Sequence, residues 1–193
     1  MGDPICKWRN ASVETLIELV SQLPKKRMTV SDFRLKMADS IYGGAFLKTA
    51  YQLASQLGLY YVDDVIFHPR FDHNLTIPEA KEYLAKWVYK YYVPNPYTAK
   101  KFEKMEHPIF LMNSIAEFVK DFPELANLAT ACNSLFGEST GNLLSVKYML
   151  TQHTDNFEID QNFDIHIKKY PTGPTDVFVS RYDKKAFFDT FNY

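Results

Sequence analysis

Apolar residues recur at helical spacing along the first third of the chain. A first helix is predicted over 12–23, where they recur every three or four positions: Val13, Leu16, Ile17, Val20 and Leu23. Thr29 begins a second predicted helix, with Asp32 in its first turn, where a negative charge favours the exposed amides. A third apolar stripe covers 45–57 and ends at Gly58, which stands where a left-handed C-cap glycine is expected.

A β-hairpin and a longer helix are predicted next. Aromatic and β-branched residues at 59–62 and 65–67 flank the polar pair Asp63-Asp64, a pattern typical of two strands joined by a tight turn. Thr76-Ile-Pro-Glu79 forms a capping box with proline in the first turn, so a helix is predicted from there to about 91. Its predicted inward residues are Ala80, Tyr83, Leu84, Trp87, Val88 and Tyr91.

The second half of the chain changes from helical to alternating periodicity. Three helices are predicted, over 108–121, 123–136 and 141–151, the second ending at Gly137. Strict alternation over 163–168 predicts a half-buried strand, and 177–179 is its predicted partner after the Pro-Thr-Gly-Pro turn at 171–174. A short helix rich in phenylalanine is expected over 183–193. The proline-rich segment 93–97 is the predicted boundary between two modules.

Composition adds one main observation, which is an uneven distribution of charge between the two halves of the chain. The chain of 193 residues is 46% apolar and 23% charged, which excludes a disordered protein. Its net charge is −1, but residues 1–104 carry 15 basic against 11 acidic side chains, and residues 105–193 carry 7 against 12. Such asymmetry is typical of proteins with a nucleic-acid or membrane-surface face. The acidic half is a candidate surface for a homo-oligomer or another protein partner.

The longest uncharged stretch, Thr49 to Val62, has 14 residues, fewer than the roughly 18 that a spanning helix needs. No secretory signal pattern is visible at residues 1–7. Cys6 and Cys132 share no local motif and are expected to be reduced thiols. We therefore expect a cytoplasmic protein without a membrane segment, a metal or a cofactor.

Three helices followed by a hairpin, within 12–68, resemble the winged helix-turn-helix DNA-binding domains. The resemblance lies in the order of the elements, and it covers about a third of the chain. It implies that the third helix enters the major groove of double-stranded DNA and that the hairpin contacts the backbone. The expected fold is mainly α with some β (α+β). It comprises a winged-helix-like module at 1–96 and a helical module with a terminal β-hairpin at 97–193.

The polar face of the third helix has the chemistry of a base-reading surface. Amide, hydroxyl and amino groups can pair with base edges, and this face carries Lys48, Thr49, Gln52, Ser55 and Gln56. No acidic residue occurs from Ser40 through Val62 to repel phosphate, whereas Asp63-Asp64 at the hairpin tip would repel it. Phosphate contacts are predicted for Lys25, Lys26, Arg27 and Arg70. A solvated helix face would show the same pattern.

Several short patterns resemble catalytic or metal-binding motifs, but the sequence around them does not support such sites. Gly137-Glu-Ser-Thr-Gly141 matches a hydrolase nucleophile turn, but that turn must follow a strand, and here a helix is predicted before it. Asp176, Asp183 and Lys185 loosely resemble the metal site of PD-(D/E)xK nucleases. His68 and His73 lack the spacing and the cysteine neighbours of a zinc site.

The predicted function is sequence-selective binding of double-stranded DNA through helix 45–57, without catalysis. Two alternatives stay open. One is a restriction-type nuclease, which would recognise DNA with its first half and hold a metal in its tail. The other is a non-catalytic protein-interaction module. An aromatic and lysine-rich segment at 87–101 is a weaker candidate for stacking bases, because Trp87 and Tyr91 lie on a predicted apolar stripe.

Overall fold

The computed structural model describes residues 12–38, 51–98, 102, 105–137 and 143–192. Helices predominate and the strands are short and antiparallel, so the mixed α and β class is confirmed. The helices are α1 Val13–Gln22, α2 Val30–Ala38, α3 Tyr51–Gln56, α4 Ile77–Lys90, α5 Leu111–Asp121, α6 Leu128–Phe136, α7 Leu143–Thr151 and α8 Lys184–Thr190. The strands are β1 Met28–Thr29, β2 Tyr60–Val62, β3 Ile66–Pro69, β4 Tyr92–Val93, β5 Ile109–Phe110, β6 Phe157–Ile159 and β7 Ile165–Ile167.

A three-stranded antiparallel sheet joins the first three helices. The strand order is β1-β3-β2. Phe67 of the central strand β3 lies opposite Met28 of β1 on one side and opposite Val62 of β2 on the other. Ser12 caps α1 by accepting a hydrogen bond from the Thr15 amide at 3.0 Å. Phe33 of α2 stacks on Phe67 with ring centroids 4.0 Å apart, which fastens the helix to the sheet. The predicted hairpin at 60–67 is confirmed.

Helix α4 is the central support of the first half. Its capping box is present, with Thr76 and Glu79 reciprocally bonded, and all six predicted inward residues are buried. Two of those residues bind the end of α3 through its backbone. Trp87 Nε1 donates to the Gln56 carbonyl at 3.0 Å, and the Tyr83 hydroxyl donates to the Leu57 carbonyl at 2.6 Å. Burying aromatic rings while pairing their polar atoms makes this contact both apolar and specific in geometry.

The predicted boundary at 93–97 does not separate two cores. Val93 is buried in β4. Strand β4 pairs with β5 so that Tyr92 lies opposite Phe110. Helix α8, near the end of the chain, packs on β2 in the first half, and the buried apolar residues of both halves form one cluster. The described residues of 1–96 and 97–193 therefore share a hydrophobic core.

The terminal β element differs from the predicted pairing. Strand β7 is present within 163–168, but its partner is β6 and not 177–179. The turn at 160–164 forms because the Asp160 carboxylate accepts hydrogen bonds from the backbone amides of Asn162, at 2.8 Å, and Asp164, at 2.9 Å. Residues 175–177 lie beside β5 instead, where the Phe110 amide donates to the Thr175 carbonyl at 2.8 Å.

The other helices of the second half end where predicted, but those predicted from 108 and from 123 begin later, at Leu111 and Leu128. Helix α6 begins at Leu128, after a short 3-10 helix at Pro123–Leu125, and ends at Gly137 in the left-handed conformation. The predicted terminal helix is α8. Within the part of the chain that the structure describes, no helix has both the length and the apolar character needed to cross a bilayer.

Candidate nucleic-acid interface

The loop between α1 and β1 presents the first group of cations. Lys26 and Arg27 are exposed, as predicted. Lys25 is half-buried, and its ammonium donates a hydrogen bond to the Val20 carbonyl at the end of α1. Burial lowers the pKa of Lys25, and the nearby positive charge of Lys36 lowers this pKa further. Lys25 therefore anchors the loop, while its two neighbours extend into solvent.

Helix α2 adds two cations that sequence reasoning missed. Phe33 and Met37 of α2 are buried, and Arg34 and Lys36, which flank this buried stripe on opposite sides of the helix, are exposed. The positive charge of Lys36 lowers the pKa of Lys25, so Lys36 lies near the loop. The signal was present in the sequence, because residues between two apolar helix positions four apart point outward. We call Lys25, Lys26, Arg27, Arg34 and Lys36 the basic surface.

Helix α3 keeps only part of its predicted polar face. Gln52 is exposed, as predicted, whereas Lys48 and Thr49 lie outside the described residues. The predicted exposure of Ser55 and Gln56 is wrong, since they are only 8% and 1% exposed. Gln56 Nε2 donates to the Tyr91 hydroxyl at 2.9 Å. Neither side chain faces solvent, because Gln56 is bonded to Tyr91 at the end of α4 and Ser55 forms a hydrogen bond with Tyr97.

Arg70, predicted to contact phosphate, is bonded within the protein. Its guanidinium donates to the Gly58 carbonyl at 2.5 Å, to Asn192 Oδ1 at 2.8 Å and to the Phe188 carbonyl. The guanidinium carbon also lies 4.0 Å from the centroid of the Phe188 ring, a cation–π distance. Arg70 thus ties α8 to the end of α3, a role that the local sequence did not reveal.

The hairpin tip is acidic and rigidly bonded. The Asp63 carboxylate accepts hydrogen bonds from the amides of Ile66, at 2.6 Å, and Val65, at 2.9 Å, and it lies 2.7 Å from His68 Nε2. These contacts, the backbone bonds first, lower the pKa of Asp63 to about 2. Asp63 and Asp64 are both exposed, so the tip presents negative charge at neutral pH.

The second histidine belongs to a surface network. His73 Nδ1 is 2.8 Å from Asp72 Oδ1, and His73 Nε2 is 3.2 Å from Glu79 Oε1. Hydrogen bonds to Asp72 and then to Glu79 raise the pKa of His73. Across the described residues, no three histidine, cysteine, aspartate or glutamate side chains are grouped as metal ligands.

The candidate nuclease residues have structural partners in the tail. Asp183 caps α8 by accepting a hydrogen bond from the Ala186 amide at 2.9 Å. Lys185 forms an ion pair with Asp189 one turn along the same helix. Asp176 is exposed in the segment beside β5. Capping and pairing account for Asp183 and Lys185 without a metal, and the nuclease alternative stays a prediction.

The surroundings of the base-stacking candidates and of the hydrolase-like motif argue against those roles. Trp87 and Tyr91 are fully buried, with ring centroids 4.7 Å apart, so they are core residues rather than a stacking platform. The hydrolase-like motif begins at Gly137, which ends a helix, whereas a nucleophile turn would follow a strand. Ser139 itself lies outside the described residues.

No protein-family model, curated protein or solved structure matches this chain.

Proposed function

We propose that the chain binds double-stranded DNA through a winged-helix-like arrangement of residues 12–70. The observation that carries the proposal is the set of exposed cations that the α1–β1 loop and α2 present, namely Lys26, Arg27, Arg34 and Lys36. Phosphate contacts by such cations supply most of the affinity of proteins for DNA. The order of the elements supports the same proposal, because helices followed by a hairpin is also the order in winged helix-turn-helix domains.

Within this proposal the elements have different roles. Lys26, Arg27 and Arg34 neutralise phosphates, while Gln52 on α3 reads a base edge by means of its amide. The acidic hairpin tip slightly opposes DNA binding, because Asp63 is charged at neutral pH and repels phosphate. DNA contact is thus assigned to the loop and the helices and not to the tip of the hairpin.

Fluorescence anisotropy of a labelled duplex, measured across a salt series, tests the electrostatic part. The triple variant Lys26→Gln, Arg27→Gln, Arg34→Gln is expected to bind more weakly. Its slope of log K against log salt should fall by about 0.9 for each phosphate that the variant no longer neutralises. The matched control is Lys120→Gln, Lys168→Gln, Lys184→Gln, which changes the net charge equally at exposed positions of the second half. Equal weakening of both variants would overturn the assignment.

The sequence-selective part needs a separate measurement. After selection of a preferred duplex, Gln52→Ala should reduce discrimination at one base pair by about 1–3 kcal/mol and leave binding to random duplex unchanged. Unchanged discrimination would remove α3 from base reading while leaving the phosphate contacts in place.

A second candidate function is contact with another protein through 176–182. Phe178 is 94% exposed and Tyr182 is 66% exposed, an unusual exposure for large aromatic side chains. This half of the chain also carries the excess of acidic residues. Sedimentation of the folded chain distinguishes the two candidates. Self-association that is abolished in Phe178→Ser, together with no duplex binding at low salt, would favour the interaction module.

A further inference from the structure

A small cleft opens where the end of α4 meets β5 and the start of α5. Its volume is about 210 Å³, and the residues that matter are Tyr89, Lys90, Phe110, Asn113, Gly173 and Pro174. Pockets that enclose drug-sized molecules hold roughly 300–1,000 Å³. The cleft is therefore suited to a ligand of one ring system. None of its residues belongs to the basic surface.

Asn113 gives the cleft an unused hydrogen-bond acceptor. The side chain is only 7% exposed, and its Nδ2 donates to the Pro174 carbonyl at 2.7 Å. Its Oδ1 is buried and accepts no hydrogen bond. Buried carbonyl oxygens are nearly always paired, since an unpaired one forfeits its interaction with water. A ligand that donates an N–H to Asn113 Oδ1 would restore that interaction.

The loop at 172–174 covers Asn113 closely. A Cβ at Gly173 would lie 2.9 Å from Asn113 Nδ2, and the φ of Gly173 is +139°, so glycine is the residue that this approach requires. Thr172, Gly173 and Pro174 are all exposed. Because Oδ1 has no accessible surface, an entering donor must displace this loop from above Asn113.

A cation and an aromatic ring complete the cleft. Lys90 Nζ lies 6.0 Å from the centroid of the Phe110 ring. Lys90 is exposed and supplies one positive charge at the edge of the cleft. An aromatic face with an adjacent ammonium is the combination that binds a nucleobase together with its phosphate.

We propose that this cleft binds a single nucleotide. A base N–H donates to Asn113 Oδ1, the base lies against Phe110, and the phosphate is neutralised by Lys90. The nucleotide has two possible sources, a free nucleoside monophosphate or an unpaired base in a DNA strand. The proposal does not depend on duplex binding by the basic surface, because the two sites use different residues.

Calorimetric titration of the full chain tests the site with three probes. These are the four deoxynucleoside monophosphates, a short single-stranded oligonucleotide, and the same oligonucleotide made abasic throughout. Binding of monophosphates indicates a free nucleotide as the ligand. Binding of the oligonucleotide alone, abolished in the abasic form, indicates an unpaired base. Either result supports the proposal. No binding of any base-bearing probe, or equal binding of the abasic one, would overturn it.

Variants locate the binding in the cleft. Gly173→Ala should weaken binding about tenfold, equivalent to one good hydrogen bond, because the new Cβ displaces Asn113. The control Gly137→Ala also places alanine at positive φ, here +68°, in the left-handed region that alanine tolerates better, with nothing within 4 Å of the new Cβ, and it should bind normally. Asn113→Ala should match Gly173→Ala, and Lys90→Gln should reduce the salt dependence. Equal affinities for Gly173→Ala and Gly137→Ala would refute the assignment.

One measurement on the unmodified chain is independent of variant folding. In the complex, nuclear Overhauser effects are expected between base protons and the ring protons of Phe110. Contacts of the bound base with other aromatic rings, and none with Phe110, would overturn the proposal even where the variants fail to fold.

Discussion

Arginine and lysine side chains at the same end of one antiparallel strand pair have opposite surroundings. Lys26 and Arg27 come just before β1 and extend into solvent. Arg70 comes just after β3, and its guanidinium is bonded to two carbonyls and one side-chain oxygen from the ends of α3 and α8. Both groups are cations in loops beside the same sheet, but only the first is free to meet a phosphate.

The difference shows how one type of residue supports either binding or folding. Arginine has a planar fork of donors, which suits a cluster of carbonyl oxygens as well as it suits a phosphate. At Arg70 the end of the chain supplies those oxygens, since Phe188 and Asn192 come from α8 and the turn after it. At Lys26 and Arg27 the described structure brings no such partner near.

The largest expected effect is that of Arg70→Ala on stability. It leaves three acceptors without their charged donor and removes the contact with Phe188, so we expect a loss of about 3 kcal/mol. For a chain of this size the melting temperature should fall by about 6–12 °C in calorimetry. The double variant Lys26→Ala, Arg27→Ala should stay within about 0.5 kcal/mol of the unmodified chain. Similar melting temperatures for the two variants would contradict the comparison.

The same joint between α3 and α8 is tested by a smaller change at Gly58. Its φ is +67°, and an added Cβ would lie 2.6 Å from Cδ2 of the buried Phe191 ring. Gly137→Ala is the matched control, because it has the same left-handed strain without a close neighbour. We expect a destabilisation of about 1 kcal/mol for the control from strain and about 2 kcal/mol for Gly58→Ala, measured by urea unfolding. If the two values are equal, α8 does not press on Gly58 in solution.

Local patterns in the sequence were sufficient to predict most helices and their ends. The capping box at Thr76 and Glu79 and the left-handed glycines at Gly58 and Gly137 depend on residues within one turn of one another. The apolar stripe of α4 predicted its buried face because a period of 3.6 residues is a local property. The hairpin could be predicted for the same reason.

Contacts between distant parts of the chain could not be predicted. Ser55 and Gln56 have polar side chains on the face opposite the apolar stripe, and only their contacts with the distant Tyr97 and Tyr91 explain their burial. Arg70 meets residues more than a hundred positions away, and no local pattern announces that contact. Of the candidate interface, the loop cations were predicted, while the exposed Arg34 and Lys36 were missed although the apolar positions of Phe33 and Met37 indicated their exposure.

The smallest expected effect comes from the charge at the hairpin tip. Removing this charge should strengthen DNA binding, whereas the changes above weaken the fold. Asp63 has a pKa of about 2, below its ordinary value, so its stabilisation of the turn is complete above about pH 4 and disappears as pH falls through 2. The carboxylate is thus fully charged at pH 7 and still charged at pH 5, and its repulsion of phosphate should not change between them. Asp63→Asn keeps a carbonyl acceptor for the turn amides but removes this charge.

Anisotropy at low salt should show duplex binding by Asp63→Asn about twofold tighter than that of the unmodified chain, because one screened like-charge contact is worth only a few tenths of a kcal/mol. Asp164→Asn in the β6–β7 turn is the control for net charge, since Asp164 is exposed and belongs to the second half. If both variants bind equally more tightly, the change reflects total charge. If neither does, the hairpin tip lies far from the DNA, and the loop before β1 acts with α2 alone. Tighter binding confined to Asp63→Asn would place the tip beside the phosphates that Lys26 and Arg27 contact.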